Sequence, residues 1–310
     1  QPVVTSETLR EAVEYLAARS PHPEVAAEEV RNRHYAFDLG VEIENVGRLR
    51  CHIFHEKGSL GISLRLISAR VPTVSELGLP DVLVNMCSRR GLILVTGPVG
   101  SGKSTTLAAL VRHALENRSS RVITIEDPIE YQYPHFSGIA TQKEVGLDSE
   151  SFYHGLVESL REDPDLLVLG ELRDPASADA TLTASETGHL VIATMHTPSA
   201  ARALDRLVDL FPVGRQELAR HSLSRALNGV FVQRLLPSRD RTRRILAYEV
   251  LVATPAVRNL IRRGEYQQIQ SAIEAGYKIG MTTMSRTIQD LVSQGLVAIE
   301  DVADEVQDVE

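Results

Sequence analysis

Tryptophan is absent from this sequence of 310 residues, and cysteine occurs only at Cys51 and Cys87. Two cysteines this far apart match no metal-ligand spacing and build no disulfide framework, so neither a zinc site nor a disulfide-stabilised scaffold is predicted. No apolar run approaches the roughly 18 residues of a membrane-spanning helix, and the first residues show no signal-peptide pattern. We therefore predict a protein of the cytoplasm that reaches a membrane only through partners.

Positive charge is also scarce. Lys and Arg number 33 against 41 Asp and Glu, a formal net charge of −8, whereas broad affinity for nucleic-acid phosphates needs a basic surface. The densest basic cluster, Arg239, Arg241, Arg243 and Arg244, is more typical of a solvated loop than of a partner site. Proteins that bind single-stranded nucleic acid place basic and aromatic residues alternately along a groove, and this sequence shows no such interleaving. This disfavours a helicase or a DNA-packaging motor. We predict no nucleic-acid partner.

The chain is long enough for two domains with separate cores. In its first part, helical spacing over residues 6–18 is followed by three stretches in which apolar and polar residues alternate, a pattern typical of half-buried strands. These stretches cover residues 37–43, 48–55 and 61–67. The sequence therefore predicts a small α+β domain with an antiparallel sheet over residues 1–72, followed by a linker over residues 73–90.

A different pattern begins at Gly91, where short apolar strands alternate with helices. The strands are predicted at residues 92–96, 122–125, 166–169 and 191–194. This alternation predicts an α/β domain over residues 91–310, with a mostly parallel sheet and helices on both faces. From about residue 205 we expect a largely helical C-terminal region, interrupted by one strand at residues 245–250. Ligands of such sheets bind at the carboxyl ends of the strands.

The clearest motif reads GPVGSGKS, from Gly97 to Ser104, directly after the apolar run LILV. A strand, a glycine-rich loop and a helix in this order let backbone N–H groups converge on a phosphate. Lys103 supplies positive charge for the β- and γ-phosphates of ATP, and the Ser104 hydroxyl is suited to hold Mg²⁺. A glycine-rich loop that only caps a helix is the alternative. The predicted nucleotide-binding residues of this loop are Gly97, Pro98, Val99, Gly100, Ser101, Gly102, Lys103, Ser104 and Thr105.

Acidic residues follow two further predicted strands. Glu171 ends the apolar run LLVLG, where a carboxylate can orient or deprotonate the attacking water. Gly170 stands where many P-loop enzymes carry an Asp for Mg²⁺, so metal support must come from elsewhere. Glu126 follows the strand ITI and can bind Mg²⁺ through water. A surface Glu at the start of a loop is the alternative for Glu171.

Two histidines, His189 and His196, flank the strand in TGHLVIATMHT. An isolated histidine is usually a structural residue, but two that bracket the strand after Glu171 favour a functional role. His196 lies at the carboxyl end of that strand, where a ring N–H can contact the γ-phosphate. We include both among the candidate site residues.

Together, the segments GPVGSGKSTT, ITIEDPIEY, LREDPDLLVLGELRD and TGHLVIATMHT resemble the Walker A, Asp box, Walker B and His box of the type II secretion and type IV pilus ATPases. The resemblance implies a PAS-like N-terminal domain joined to a RecA-like ATPase domain, assembled as a homohexamer. Arg50 in RLRCHIF and Arg65 in ISLRLI resemble N-terminal-domain arginines that approach nucleotide in this superfamily. Because the chain begins at Gln1, without the usual first strand pair, we expect its first domain to be truncated at its start.

Within that superfamily the chain looks most similar to the retraction ATPases of type IV pili. It has no cysteine beyond Cys87, whereas extension and secretion members usually carry a four-cysteine zinc-binding insertion. The family's pattern of glutamine, basic residue, Glu, Val and Gly appears from Gln142 to Gly146. The segment PAVRNLIRRGE resembles a motif needed for retraction, but Arg263 stands where that motif has its final Glu. An amphipathic helix with no further role is the alternative for that segment.

The resemblance implies a Mg²⁺-dependent ATPase that powers pilus retraction and twitching motility. Its partner would be an inner-membrane pilus platform protein, and its location the cytoplasmic face of that membrane. An extension or secretion ATPase without the zinc insertion is one alternative. A nucleotide-gated adaptor with negligible hydrolysis is another, although Glu171 argues against it.

Overall fold

The computed structural model describes residues 5–20, 23–24, 26–27, 36–44, 46–67, 70–117, 119–134 and 136–302. A three-stranded sheet and a seven-stranded sheet form the centres of its N-terminal and C-terminal parts. Within these described ranges, no helix is both long enough and apolar enough to cross a membrane.

The N-terminal part consists of one helix packed on an antiparallel sheet. Its elements are α1 (Ser6–Ala17), β1 (Phe37–Ile43), β2 (Gly47–Glu56) and β3 (Ser59–Ile67), and the strand order is β1-β2-β3. The turn between β2 and β3 places Lys57 and Gly58 at positive φ. All three strands predicted for this part are confirmed.

The two faces of β2 have different neighbours. Leu49 and Cys51 join Leu16 of α1 in a small apolar core. Because side chains alternate along a strand, Arg48 and Arg50 lie on the opposite face, which is turned toward the C-terminal part. Arg65 of β3 pairs with Arg50 across the sheet and shares that face.

The segment predicted as a linker is largely packed. It contains the short helix α2 (Asp81–Met86), and the buried side chains of Leu79, Leu83 and Met86 belong to one of the two cores of the large sheet. Val74 and Leu77 pack against the same core, so most of this segment is attached to the C-terminal part. The domain limits at residues 72 and 91 stay predictions.

The large sheet is parallel apart from one edge strand. Its order is β10-β9-β4-β8-β7-β5-β6, and β10 runs antiparallel to β9. Alternate residues of the central strand β4 point into two separate cores, with Leu92 and Leu94 on one side and Ile93 and Val95 on the other. The strands are β4 (Gly91–Thr96), β5 (Arg121–Glu126), β6 (Ile139–Glu144), β7 (Leu166–Leu169), β8 (Leu190–Met195), β9 (Leu227–Pro237) and β10 (Arg244–Val252).

Helices cover both faces of this sheet, as predicted. They are α3 (Lys103–Asn117), α4 (Phe152–Ser159), α5 (Pro175–Glu186), α6 (Ala200–Asp209), α7 (Gln216–Ala226), α8 (Pro255–Arg263), α9 (Ile269–Ala275) and α10 (Met284–Ser293). Single 3₁₀ turns occur at Val213–Arg215, Tyr266–Gln268, Tyr277–Ile279 and Ile299–Asp301.

We expected a largely helical region from about residue 205. This expectation is wrong for Leu227–Pro237, which forms β9, an eleven-residue strand of the large sheet. Val230, Phe231 and Val232 are fully buried, and a continuous apolar run of this kind does not distinguish a buried strand from a buried helix. Gly229 marks the strand, since a Cβ there would lie 2.4 Å from the Leu251 carbonyl oxygen of β10. The helical region proper follows β10.

Candidate nucleotide-hydrolysis site

The carboxyl ends of β4, β5, β7 and β8 open into one cleft. Its volume is about 810 Å³, and the charged face of the N-terminal sheet forms its other wall. The sequence-predicted residues that line it are Arg50, Arg65, Val99, Gly100, Gly102, Lys103, Ser104, Thr105, Glu126, Glu171 and His196. One cleft of one subunit thus contains most of the candidate site.

The loop after β4 has the conformation that its glycines allow. Gly97, Gly100 and Gly102 have φ values of 146°, 77° and 89°. A Cβ on Gly97 would lie 2.2 Å from the Gln233 carbonyl oxygen, so no other residue fits there. Gln233 also donates from Nε2 to the Ser101 carbonyl oxygen at 2.6 Å, and β9 thereby supports the loop from below.

Lys103 opens α3 and is buried. Its Nζ donates to the carbonyl oxygens of Gly97 and Pro98, at 2.9 and 3.0 Å, and contacts Nδ1 of His196 at 3.1 Å. Burial lowers the pKa of Lys103, and the nearby carboxylates of Glu171 and Glu130 act in the opposite direction. The amine therefore lies beside His196, at the point where the loop meets the helix.

His196 links this lysine to the predicted catalytic carboxylate. Its Nε2 lies 3.7 Å from Oε1 of Glu171. Partial burial and the positive charge of Lys103 lower the pKa of His196. A neutral ring that accepts from Lys103 at Nδ1 carries its proton on Nε2, toward Glu171. The three side chains form one connected polar chain across the ends of β4, β7 and β8.

Glu126 is held at the end of β5. Its Oε1 accepts from Thr124 Oγ1 at 2.7 Å and from Gln142 Nε2 at 3.2 Å. Burial raises the pKa of Glu126, an effect that both hydrogen bonds oppose. The carboxylate is thus fixed at the cleft, within the same sheet edge as the loop.

The two arginines of the N-terminal sheet complete the cleft. Arg50 lies 3.5 Å from Glu130 Oε1 and 3.7 Å from Asp38 Oδ1. Arg65 is exposed and lies beside Arg50 in the sheet register. Both line the cleft that contains the Lys103 of their own subunit.

Four predicted site residues lie outside this lining. Within the loop, Gly97 and Ser101 are buried, and Pro98 is exposed. His189 lies at the opposite end of β8, with Nδ1 3.2 Å from the Ala184 carbonyl oxygen. Six strand residues, about 20 Å at about 3.3 Å each, separate it from His196. The structure therefore does not bring His189 to the site.

Gly170 has a steric explanation. A Cβ at this position would lie 3.3 Å from the Ile125 carbonyl oxygen and 3.4 Å from the Glu126 Cα. The close approach of β7 to β5 thus disfavours the Asp that other P-loop enzymes carry there.

Several cleft residues were not predicted. Tyr131 and Arg173 lie inside the quoted motif segments, so position alone could have drawn attention to them. Tyr131 contacts Thr105 through a hydrogen bond of 3.0 Å, and Arg173 lies 3.6 Å from Asp127. Arg244 also lines the cleft, at the start of β10, although the basic cluster that contains it was interpreted as a solvated loop.

The His196 contact predicts a pH dependence. A lowered pKa keeps the ring neutral at neutral pH, and protonation removes the Nδ1 acceptor that Lys103 uses. We expect kcat/KM for ATP to be constant above the ordinary histidine pKa of 6.5 and to fall as pH drops through the lowered value. His196→Gln should lose this acidic limb in a pH–rate profile, whereas His221→Gln on α7 should keep it. An acidic limb that persists unchanged in His196→Gln contradicts the assignment.

A glycine-rich loop between a strand and a helix, a strand-end glutamate and a strand-end histidine on a parallel sheet define a P-loop nucleoside triphosphatase. The family described as type II/IV secretion system proteins matches residues 62–304. The chain is 41% identical to a twitching motility protein of Neisseria gonorrhoeae, over 90% of this chain and 79% of that protein. It is 40% identical to the type IV pilus retraction ATPase PilT of Pseudomonas aeruginosa, over 87% and 78% of the two chains. The chain belongs to this family and is an ATPase.

Its fold agrees with the same relatives. A crystal structure of the pilus retraction motor PilT with bound ADP superposes with a TM-score of 0.81 at 42% identity, covering 90% of this chain and 79% of that one. The recognition, the fold class and the ATPase class predicted from the sequence are confirmed. The site residues stay predictions.

Proposed function

We propose that this protein is a hexameric, Mg²⁺-dependent ATPase motor that powers the retraction of type IV pili. The single observation that carries the motor assignment is the shared cleft, in which Arg50 and Arg65 of the N-terminal sheet face Lys103 and Glu171 of the ATPase sheet. Both domains contribute side chains to this site, so the contacts between the domains differ before and after ATP is hydrolysed. Hydrolysis can therefore drive movement between the domains.

The predicted site residues have the following roles in this mechanism. Lys103 and the loop amides bind the β- and γ-phosphates, and Glu171 orients and deprotonates the attacking water. His196 contacts the γ-phosphate and reports its presence to Glu171, 3.7 Å away. Arg50 and Arg65 neutralise charge on the transferring phosphoryl group and couple its loss to the position of the N-terminal sheet.

The donor set fits Mg²⁺ bound together with nucleotide. Ser104 offers a hydroxyl, and Glu126 offers a carboxylate that suits a water-mediated contact. The residues that the structure describes contain no group of three or more His, Cys, Asp or Glu able to hold a metal alone. Most ligands of the ion would therefore be phosphates and water, and the ion would polarise the γ-phosphate.

The retraction assignment draws support from the PilT relatives. The segment that resembles the retraction motif forms helix α8. This helix is amphipathic, with Val257 and Ile261 fully buried, and it ends at Gly264 in the left-handed conformation. Arg258 donates to the Arg225 carbonyl oxygen at 2.8 Å and so anchors α8 to the end of α7. Arg263, which replaces the final Glu of the retraction motif, has an exposed side chain 3.8 Å from Glu265.

The assembly follows from this assignment. We propose a homohexamer at the cytoplasmic face of the inner membrane, where it acts on the pilus platform protein. Because Val74, Leu77 and Leu79 all pack in the same core of the ATPase part, we place the hinge between the domains before Val74.

Deletion of the gene tests retraction directly. Cells without a retraction motor keep assembling pili, so we expect surplus surface pili by electron microscopy and loss of twitching. The parent gene should restore both properties, and the Glu171→Gln gene should restore neither. Bald cells after deletion would instead establish an extension or secretion motor. A purified hexamer that releases no phosphate from ATP would establish the nucleotide-gated adaptor.

A further inference from the structure

One arginine of the N-terminal sheet is buried against the ATPase domain. Arg48 of β2 is 4% exposed, and its Nε donates to the Ile129 carbonyl oxygen at 3.0 Å. Burial of a guanidinium is costly unless its charge and its donors are satisfied. This contact joins residues that lie 81 positions apart and belong to different domains.

The same peptide segment is held from the other side. Glu144, at the end of β6, is 7% exposed, and its Oε2 accepts from the Ile129 N–H at 2.9 Å. Both backbone groups of Ile129 are therefore bound by charged side chains, one from each domain. Burial raises the pKa of Glu144, and the bond from the Ile129 N–H and the positive charge of Arg48 act in the opposite direction.

The N-terminal sheet has space for this arginine. A Cβ on Gly40 of β1 would lie 2.8 Å from the Arg48 Nη2, so the absence of a side chain at Gly40 lets the guanidinium cross the sheet.

Ile129 lies in the middle of a loop that lines the cleft. Asp127, Pro128, Glu130 and Tyr131 all border the cleft, and Glu130 contacts Arg50. Neither Arg48 nor Glu144 borders it. These two residues therefore act on the site through the loop and not by touching nucleotide.

We propose that Arg48 and Glu144 form an interdomain clasp on Ile129, which positions the loop of residues 127–131 for hydrolysis. When the clasp is closed, Glu130 and Arg50 face the phosphates. Movement of the N-terminal sheet must break the bond from Arg48 to Ile129, so the clasp sets the stability of the closed arrangement. This inference rests on the proposed coupling of hydrolysis to interdomain movement.

Steady-state hydrolysis by the full chain tests the positioning role. In Arg48→Met we expect kcat to fall on the order of tenfold, because misplaced catalytic groups slow the chemical step, while KM changes little. Arg10→Met, on the exposed face of α1, is the matched control and should behave as the parent. Arg48→Lys keeps the charge but has no donor at the Nε position, so its kcat should lie between those of the parent and Arg48→Met.

A double-mutant cycle tests whether the two residues act together. Glu144→Gln keeps an oxygen for the Ile129 N–H and removes the negative charge. Its effect on kcat should be smaller in the Arg48→Met background than in the parent, since neighbours that share one contact are not additive. Fully additive effects on the logarithm of kcat would overturn the shared clasp.

A distance measurement separates this inference from the proposed function. Fluorophores at Lys57→Cys and Leu218→Cys, in a Cys87→Ser background, report the separation of the domains, and the buried Cys51 stays unlabelled. In the parent we expect the distance to change when a non-hydrolysable ATP analogue binds. In Arg48→Met the analogue-bound distance should be longer and its distribution broader.

Each outcome has one meaning. If the distance in the parent protein does not change when the analogue binds, the proposed interdomain movement is wrong. A parent distance that responds, together with parental kcat and parental distances in Arg48→Met, overturns the clasp alone. If Arg48→Met does not fold, Arg48→Lys decides, and parental kcat and distances in that variant overturn the clasp.

Discussion

Replacing Glu171 with Gln should reduce kcat for ATP hydrolysis by about a thousandfold, the scale of losing a positioned general base. Gln has nearly the same shape and keeps an oxygen near His196 Nε2, so the cleft should stay intact. It cannot take a proton from water. A phosphate-release assay measures the loss, and calorimetry with an ATP analogue should show little change in Kd.

The control for this variant is Glu217→Gln, an exposed position in the first turn of α7. It should hydrolyse ATP at the parental rate. If Glu171→Gln keeps the parental kcat, Glu171 is not the base, and the carboxylates of Glu126 and Glu130 become the candidates.

Replacing Lys103 with Met should raise the Kd for ATP by about a hundredfold or more. A charge-assisted hydrogen bond contributes about 1.5–3 kcal/mol, and two to the phosphates would be lost, at about 1.4 kcal/mol for each factor of ten. Met is also unbranched, so it fills the space of the buried methylene chain of Lys103. Isothermal titration with the ATP analogue measures the affinity.

Lys278→Met provides the matched control, since this lysine lies in the 3₁₀ turn at Tyr277–Ile279, outside the cleft. It should bind the analogue as the parent does. Parental affinity in Lys103→Met would remove the phosphate-binding role of that residue. The thermal unfolding midpoints of both variants identify any loss of binding that comes from misfolding.

The sequence was most informative where a motif and a strand coincide. The segments before Gly97, Glu126, Glu171 and His196 are all apolar, and each is confirmed as a strand whose carboxyl end reaches the cleft. Parallel strands that end at one edge bring distant motifs together, so the lining of the ATPase side followed from order and pattern.

Other parts needed the three-dimensional arrangement. His189 was included because it flanks the same strand as His196, but opposite ends of a strand cannot share one small site. Gln233 and Arg244 reach the site on β9 and β10, and the former strand was taken for helix. Arg48 shows no motif, and its role depends on which domain its face of the sheet meets.

The side chains of β2 alternate between two faces, and this has a consequence for amino-acid substitutions in this family. One face of the strand supports the small core around Leu49 and Cys51, and the other presents Arg48 and Arg50. Changes that loosen the packing under α1 therefore disturb the guanidinium groups across the sheet, without replacing any residue that lines the cleft. Loss-of-motility alleles should accumulate in that hidden apolar layer as well as in the recognised motifs.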